Sequence, residues 1–149
     1  MKYFEEFTPG DTETTEGYQV TVEEIIDFAR KWDPQPMHID PDAAKASGFG
    51  GLVASGVHLI AVAVRLLVTR PTHAAVIGAL GVDQLRFLHP ARPGDVVRVT
   101  IECMEARPSS TKPDRGVVRS RVTLRNQRGE DLLTYVDALL VALRPAAAS

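Results

Sequence analysis

The stretch from Val57 to Val68 constrains the fold more than any other. Val57, Leu59, Ile60, Ala61, Val62, Ala63, Val64, Leu66, Leu67 and Val68 are apolar, with only His58 and Arg65 among them. A helix that is apolar nearly all round has no face to offer water, so it belongs in a core. The run is far shorter than the roughly 20 residues a membrane-spanning helix needs. It reads as a helix that begins near Ser55-Gly56 and ends near Thr69, ahead of Arg70-Pro71.

Beyond that helix the hydrophobic period changes. Val97, Val99, Ile101 and Cys103 alternate with Arg98, Thr100 and Glu102. Val118, Ser120, Val122 and Leu124 alternate with Arg119, Arg121, Thr123 and Arg125. A period of two is that of half-buried strands. Val76 to Leu88 and Leu132 to Leu143 complete four strands, and Thr12 to Val20 is the source of a fifth. Pro93-Gly94-Asp95 and Asn126-Gln127-Arg128-Gly129 are turn signals between them. Helices grouped ahead of strands joined by short turns imply an α+β fold with an antiparallel sheet. One strongly apolar helix beside one long sheet implies that the sheet wraps the helix.

The first third is helical. Thr21-Val22-Glu23-Glu24 reads as a capping box, with Thr21 as cap and Glu24 reaching back to it. Val22, Ile25, Ile26, Ala29 and Trp32 follow at helical spacing. Asp33-Pro34 ends that helix. Asp40-Pro41 starts a short one, which Gly48 stops. With 149 residues, 44% hydrophobic and 24% charged, the chain is expected to form one soluble domain over residues 1–149. The tail at residues 146–149 is expected to fray.

Several function classes drop out. The net charge is -2 and no basic block is present, which is not a nucleic-acid footprint. The single cysteine, Cys103, forbids an intrachain disulfide and any cysteine-rich metal site. Its place in the alternation makes it an inert core thiol. Met1 to Gly10 is mixed polar and acidic, unlike a secretory leader. The expected setting is cytoplasmic, with no membrane and no nucleic acid as partner. Four histidines without shared helical spacing argue against a metal site. His73 and His89, beside Pro71 and Pro90, read as surface residues. Arg119, Arg121 and Arg125 could meet phosphates, but a solvated strand face explains them better. Lys112 and Arg115 are a comparable possibility.

The densest polar cluster is Asp33-Pro34-Gln35-Pro36-Met37-His38-Ile39-Asp40. Two prolines stiffen the backbone between a carboxylate and an imidazole. Such a pair suits general acid/base work, in which one proton moves at carbon and another at oxygen. The same two residues could instead only cap neighbouring helices, and spacing alone leaves both readings open. Gly51-Leu52-Val53-Ala54-Ser55-Gly56 then opens the apolar helix. A glycine there lets a ligand approach free amides at the positive end of the helix dipole. A thioester carbonyl gaining negative charge would be stabilised in such a place. A plain packing turn would look the same.

From Phe28 to Leu66 the chain resembles the MaoC-like dehydratase family, which includes R-specific enoyl-CoA hydratases. The resemblance lies in Asp33, four residues, His38, then Asp40-Pro41, and in Gly51 to Gly56 opening the central helix. Arg92-Pro93-Gly94-Asp95, which starts a strand, adds to it. The family implies a hotdog fold and a homodimer or larger homo-oligomer. It implies hydration of trans-2-enoyl thioesters to (R)-3-hydroxyacyl thioesters, or the reverse dehydration. Carried over, Asp33 and His38 hold and activate water, and the Gly56 amide polarises the thioester carbonyl. Gln35, Ser55 and His58 would contact substrate, although His58 reads equally as a core histidine. No cofactor is implied, since coenzyme A or an acyl-carrier protein belongs to the substrate. The chain departs from the pattern in three places. Val64 replaces a helix serine, Gln35 replaces an asparagine and Ser55 replaces a helix-start histidine. A hotdog thioesterase and a non-catalytic acyl-binding protein are the alternatives.

Overall fold

The computed structural model describes residues 1–148. Ser149, the last residue of the tail expected to fray, lies outside the described residues. After a 3-10 turn at Phe4–Glu6 come strands β1 (Thr12–Thr14) and β2 (Tyr18–Gln19). Helices α1 (Val22–Trp32), α2 (Pro36–Ile39), α3 (Pro41–Lys45) and α4 (Gly56–Thr69) follow. Four long strands close the chain: β3 (Val76–Phe87), β4 (Val96–Pro108), β5 (Arg115–Arg125) and β6 (Asp131–Ala142).

The strands form one antiparallel sheet in the order β1-β4-β5-β6-β3, with β2 also on β4. The segment read as a fifth strand is thus two short ones, both paired to β4. The turns at Gly94 and Gly129 have φ of 87° and 78°, a left-handed backbone that glycine adopts at little cost. They join β3 to β4 and β5 to β6 with few residues. In β3, three register shifts against β6 mark bulges, and Gln84 takes a left-handed φ of 55° at one of them.

One face of the sheet packs on α4. Leu59, Val62, Ala63 and Leu66 join Val97, Val99, Val122, Leu124, Leu133 and Tyr135 in the main core. Cys103 lies in a second buried cluster with Val118 and Val141, as expected for a packed thiol. Burial there raises its pKa. The helix is not buried all round, however. Val57, Val64 and Val68 remain 55%, 46% and 57% exposed, so one stripe of α4 faces outward.

Local structure departs from the sequence reading in three further ways. Thr21 caps α1 by accepting from the Glu24 amide at 3.2 Å, but the Glu24 carboxylate does not reach back. It accepts from the Tyr18 hydroxyl at 2.7 Å instead. The stiff segment between Asp33 and Asp40 contains a helical turn, with Pro36 at its first position, where the missing N–H costs nothing. Finally, α3 ends at Lys45 with Ala46 as its C-cap, ahead of the glycine expected to stop it.

Candidate active site

Asp33 sits where α1 stops. Its amide closes the helix on the Ala29 carbonyl at 2.8 Å, and its own backbone has already left the helical region, at φ -154° and ψ 70°. Pro34 forbids another helical turn, so the carboxylate leaves the helix axis. Gln35 donates from Nε2 to Asp33 Oδ1 at 2.8 Å. Ser55 donates from Oγ to Asp33 Oδ2 at 2.6 Å. Hydrogen bonds to the ionised form favour it, and these two, with Ser55 foremost, hold Asp33 below the usual carboxylate range. The side chain stays 22% exposed, open to a small reactant.

His38 lies in α2 and is buried. Its Nδ1 is 2.7 Å from the Val53 carbonyl oxygen. A carbonyl can only accept, so Nδ1 carries a proton. In a neutral ring Nε2 then holds the lone pair. Nε2 lies 3.5 Å from Asp33 Oδ2. Thus a carboxylate oxygen and an imidazole nitrogen converge on one spot, each fixed from behind by a separate bond. The strap that supplies Val53 is itself tied down, since the Val53 amide donates to Met37 O at 3.2 Å and the Ala54 amide to Ala91 O at 2.9 Å.

Ser55 directly precedes α4, so its bond to Asp33 brings the helix start to the dyad. Its hydroxyl is committed to Asp33 and gives α4 no side-chain cap. The Gly56 amide therefore opens the helix with nothing from Ser55 covering it. Gly56 also could not be larger: a Cβ there would stand 2.7 Å from two carbons of the Phe87 ring.

Sequence reading named Asp33, Gln35, His38, Ser55 and Gly56, and the structure gathers all five. Two of them also make a contact within the group. Gln35 and Ser55 point their polar groups at Asp33, where they position the carboxylate. His58 stands apart from this group. It is 2% exposed, stacks on Phe28 with centroids 4.5 Å apart at 9°, and places Nε2 3.4 Å from Glu24 Oε1. Val53, Phe87 and Ala91 went unnoticed, because a carbonyl acceptor and a covering ring leave no mark in residue type. Arg92 and Asp95, flagged only as a motif, brace the same corner. Arg92 donates to Phe49 O at 2.7 Å, and buried Asp95 accepts from the Arg92 amide and from Gln127.

Several of the other charged side chains flagged in the sequence pair with neighbours. Arg119 stands 3.7 Å from both Asp83 and Glu105, and Arg125 2.7 Å from Asp131, so much of the basic strand face is paired. Arg115 pairs with Asp114. His89 is exposed, whereas His73 is half-buried rather than on the surface. Among the described residues no group of three or more His, Cys, Asp or Glu could hold a metal. No helix among them is long and apolar enough to cross a membrane.

The fold and this site define a class. Residues 5–126 match the MaoC like domain, and the chain belongs to that family. Its architecture is the hotdog fold. A crystal structure of the MaoC-like dehydratase from Rhodospirillum rubrum superposes with a TM-score of 0.91 at 37% identity, over 97% of this chain and 99% of that one. Protein MaoC of Klebsiella aerogenes is 39% identical over 103 residues, which are 68% of this chain but 30% of that longer protein. R-hydratase PhaJ1 of Pseudomonas aeruginosa shares the fold, with a TM-score of 0.76 at 22% identity over 99% of this chain and 93% of that one.

Proposed function

We propose that this protein hydrates trans-2-enoyl thioesters to (R)-3-hydroxyacyl thioesters, or runs the reverse dehydration. The observation that carries this reading is the convergence of Asp33 Oδ2 and His38 Nε2 at 3.5 Å beside the open start of α4. Membership of a dehydratase family supports it.

In the forward direction a water held between the two groups gives a proton to His38 Nε2, and its oxygen attacks the β-carbon. The hydrogen bonds from Ser55 and Gln35 favour the ionised form of Asp33. That carboxylate orients the water and stabilises the imidazolium that forms. Charge then develops on the thioester oxygen. In this reading the Gly56 N–H, at the positive end of α4, receives it. His38 returns its proton to the α-carbon, so atoms and charge balance without a cofactor. Coenzyme A or an acyl-carrier protein enters only as the carrier in the substrate. A homodimer in the cytoplasm is the expected working form.

An absorbance assay on crotonyl-CoA and longer enoyl-CoAs tests this. Asp33→Asn and His38→Gln should each lose on the order of a hundredfold or more in kcat/KM while remaining folded. Unchanged turnover in both variants would remove the reading. Release of free CoA with the double bond intact would select a thioesterase.

A further inference from the structure

The polar side chain least at home in its surroundings is His58, on the first turn of α4. It is buried, and neither ring nitrogen completes a hydrogen bond among the described residues. Nε2 nonetheless stands within ion-pair distance of Glu24 Oε1, at 3.4 Å. That oxygen already accepts from the Tyr18 hydroxyl. The imidazole lies flat on the Phe28 ring. A phenyl ring would stack on Phe28 as well, and would leave no nitrogen unmatched in the core. Packing alone therefore does not explain a histidine here. The carboxylate that it faces does.

The place of this contact in the fold gives it a use. Glu24 lies in the first turn of α1, and Asp33 is the residue that ends that helix. Ser55 and His58 stand on either side of Gly56 at the start of α4. Ser55 holds Asp33, while His58 holds Phe28 and faces Glu24. The start of α4 thus grips α1 at both of its ends. At 1.5 Å per residue the two grips are about 13 Å apart along α1. With the Ser55–Asp33 bond alone, α1 could pivot about that bond, and the carboxylate would turn away from His38. A second grip at the far end of the lever removes that freedom. Misplacement by about 1 Å is enough to cost a reaction of this kind heavily.

We propose that His58 is a positioning residue for the Asp33–His38 dyad: by holding Phe28 and Glu24 it sets the direction of α1, and so aims the Asp33 carboxylate. His58 acts through α1 and touches no reacting atom. The purpose of the aim rests on the hydration reading. The grip itself can be measured without turnover.

His58→Phe keeps the stack on Phe28 and removes both nitrogens. Carbon-13 NMR titration of the Asp33 carboxyl in the full chain, without substrate, gives the first readout. The Asp33 titration should move up toward its ordinary range in His58→Phe, because the bonds from Ser55 and Gln35 that depress it are loosened. Turnover of crotonyl-CoA gives the second. There kcat should fall roughly tenfold with KM changed less than about twofold. In an Asp33→Asn background the same change should cost nothing further. His58→Gln, whose amide can still donate to Glu24, should recover part of the loss. If His58→Phe does not fold, Glu24→Gln decides by the same two readouts. An unmoved Asp33 titration, a raised KM at unchanged kcat, or a full further loss in the Asp33→Asn background would each overturn the proposal. A wild type that does not hydrate crotonyl-CoA or longer enoyl-CoAs would remove the hydration reading instead, and the NMR titration would then decide alone whether His58 aims Asp33.

Discussion

A serine at the head of a helix ordinarily accepts from a first-turn amide. Ser55 donates to Asp33 instead, and this one choice couples the carboxylate to the helix start. Removing that donor should let the Asp33 pKa rise toward its ordinary value, since Ser55 is the largest cause of its depression. If Asp33 must be ionised, the acid limb of the kcat/KM profile then moves to higher pH in Ser55→Ala. The plateau should fall roughly tenfold, because a hydrogen bond to a charged group is lost. Thermal stability measured beside the pH profile separates this positioning role from a general loss of fold. An unshifted acid limb would show that Ser55 does not tune Asp33. Prolines and spacing are local features, so the sequence singled out Asp33 and His38 as a pair, while their role was left to the family resemblance. The sequence did not reveal that Ser55 and Gln35 both donate to Asp33. Ser55 and Asp33 are 22 positions apart, and only the fold brings them together.

At the scale of elements, α4 was legible from its apolar run and the strands from their period of two. The regions that misled are those where another element overrides local pattern. Glu24 follows the capping-box spacing, yet it turns to Tyr18 because β2 passes beside α1. α4 looks fit for complete burial, yet the sheet covers only part of it. The start of α4 is also set from outside, by Phe87 at the end of β3. Gly56→Ala would push a Cβ against that ring, at 2.7 Å from two of its carbons. We expect a loss of about 1–3 kcal/mol in urea unfolding, the usual cost of overpacking. Phe87→Leu in the same chain should recover part of it, giving a favourable coupling in a double-mutant cycle. Additive losses would place the strain elsewhere.

The whole molecule leaves one long edge open. β3 ends the sheet, and on it Val76, Ile77, Leu80 and Val82 are 46–56% exposed, beside the outward stripe of α4. A long apolar edge in water invites pairing, and a patch of this kind marks an interface. Leu80→Lys should therefore convert a dimer to monomer in sedimentation velocity, whereas a wild type that sediments as a monomer would contradict the assembly. The pH dependence of stability is likewise a property of the entire fold, and Asp137 contributes to it. Its pKa is raised from 3.8 to about 6 in the folded protein, mainly by burial. An acid whose folded pKa is raised favours the folded state while protonated, and that advantage is lost as pH rises from about 4 through 6. The difference amounts to about 3 kcal/mol, at 1.36 kcal/mol per unit. Asp137→Asn cannot ionise, so it escapes this loss. It should melt several degrees above the wild type at about pH 8, and level with it at about pH 4. Equal melting temperatures at both values would mean that Asp137 is ionised at no cost, through a partner contributed by the assembled dimer.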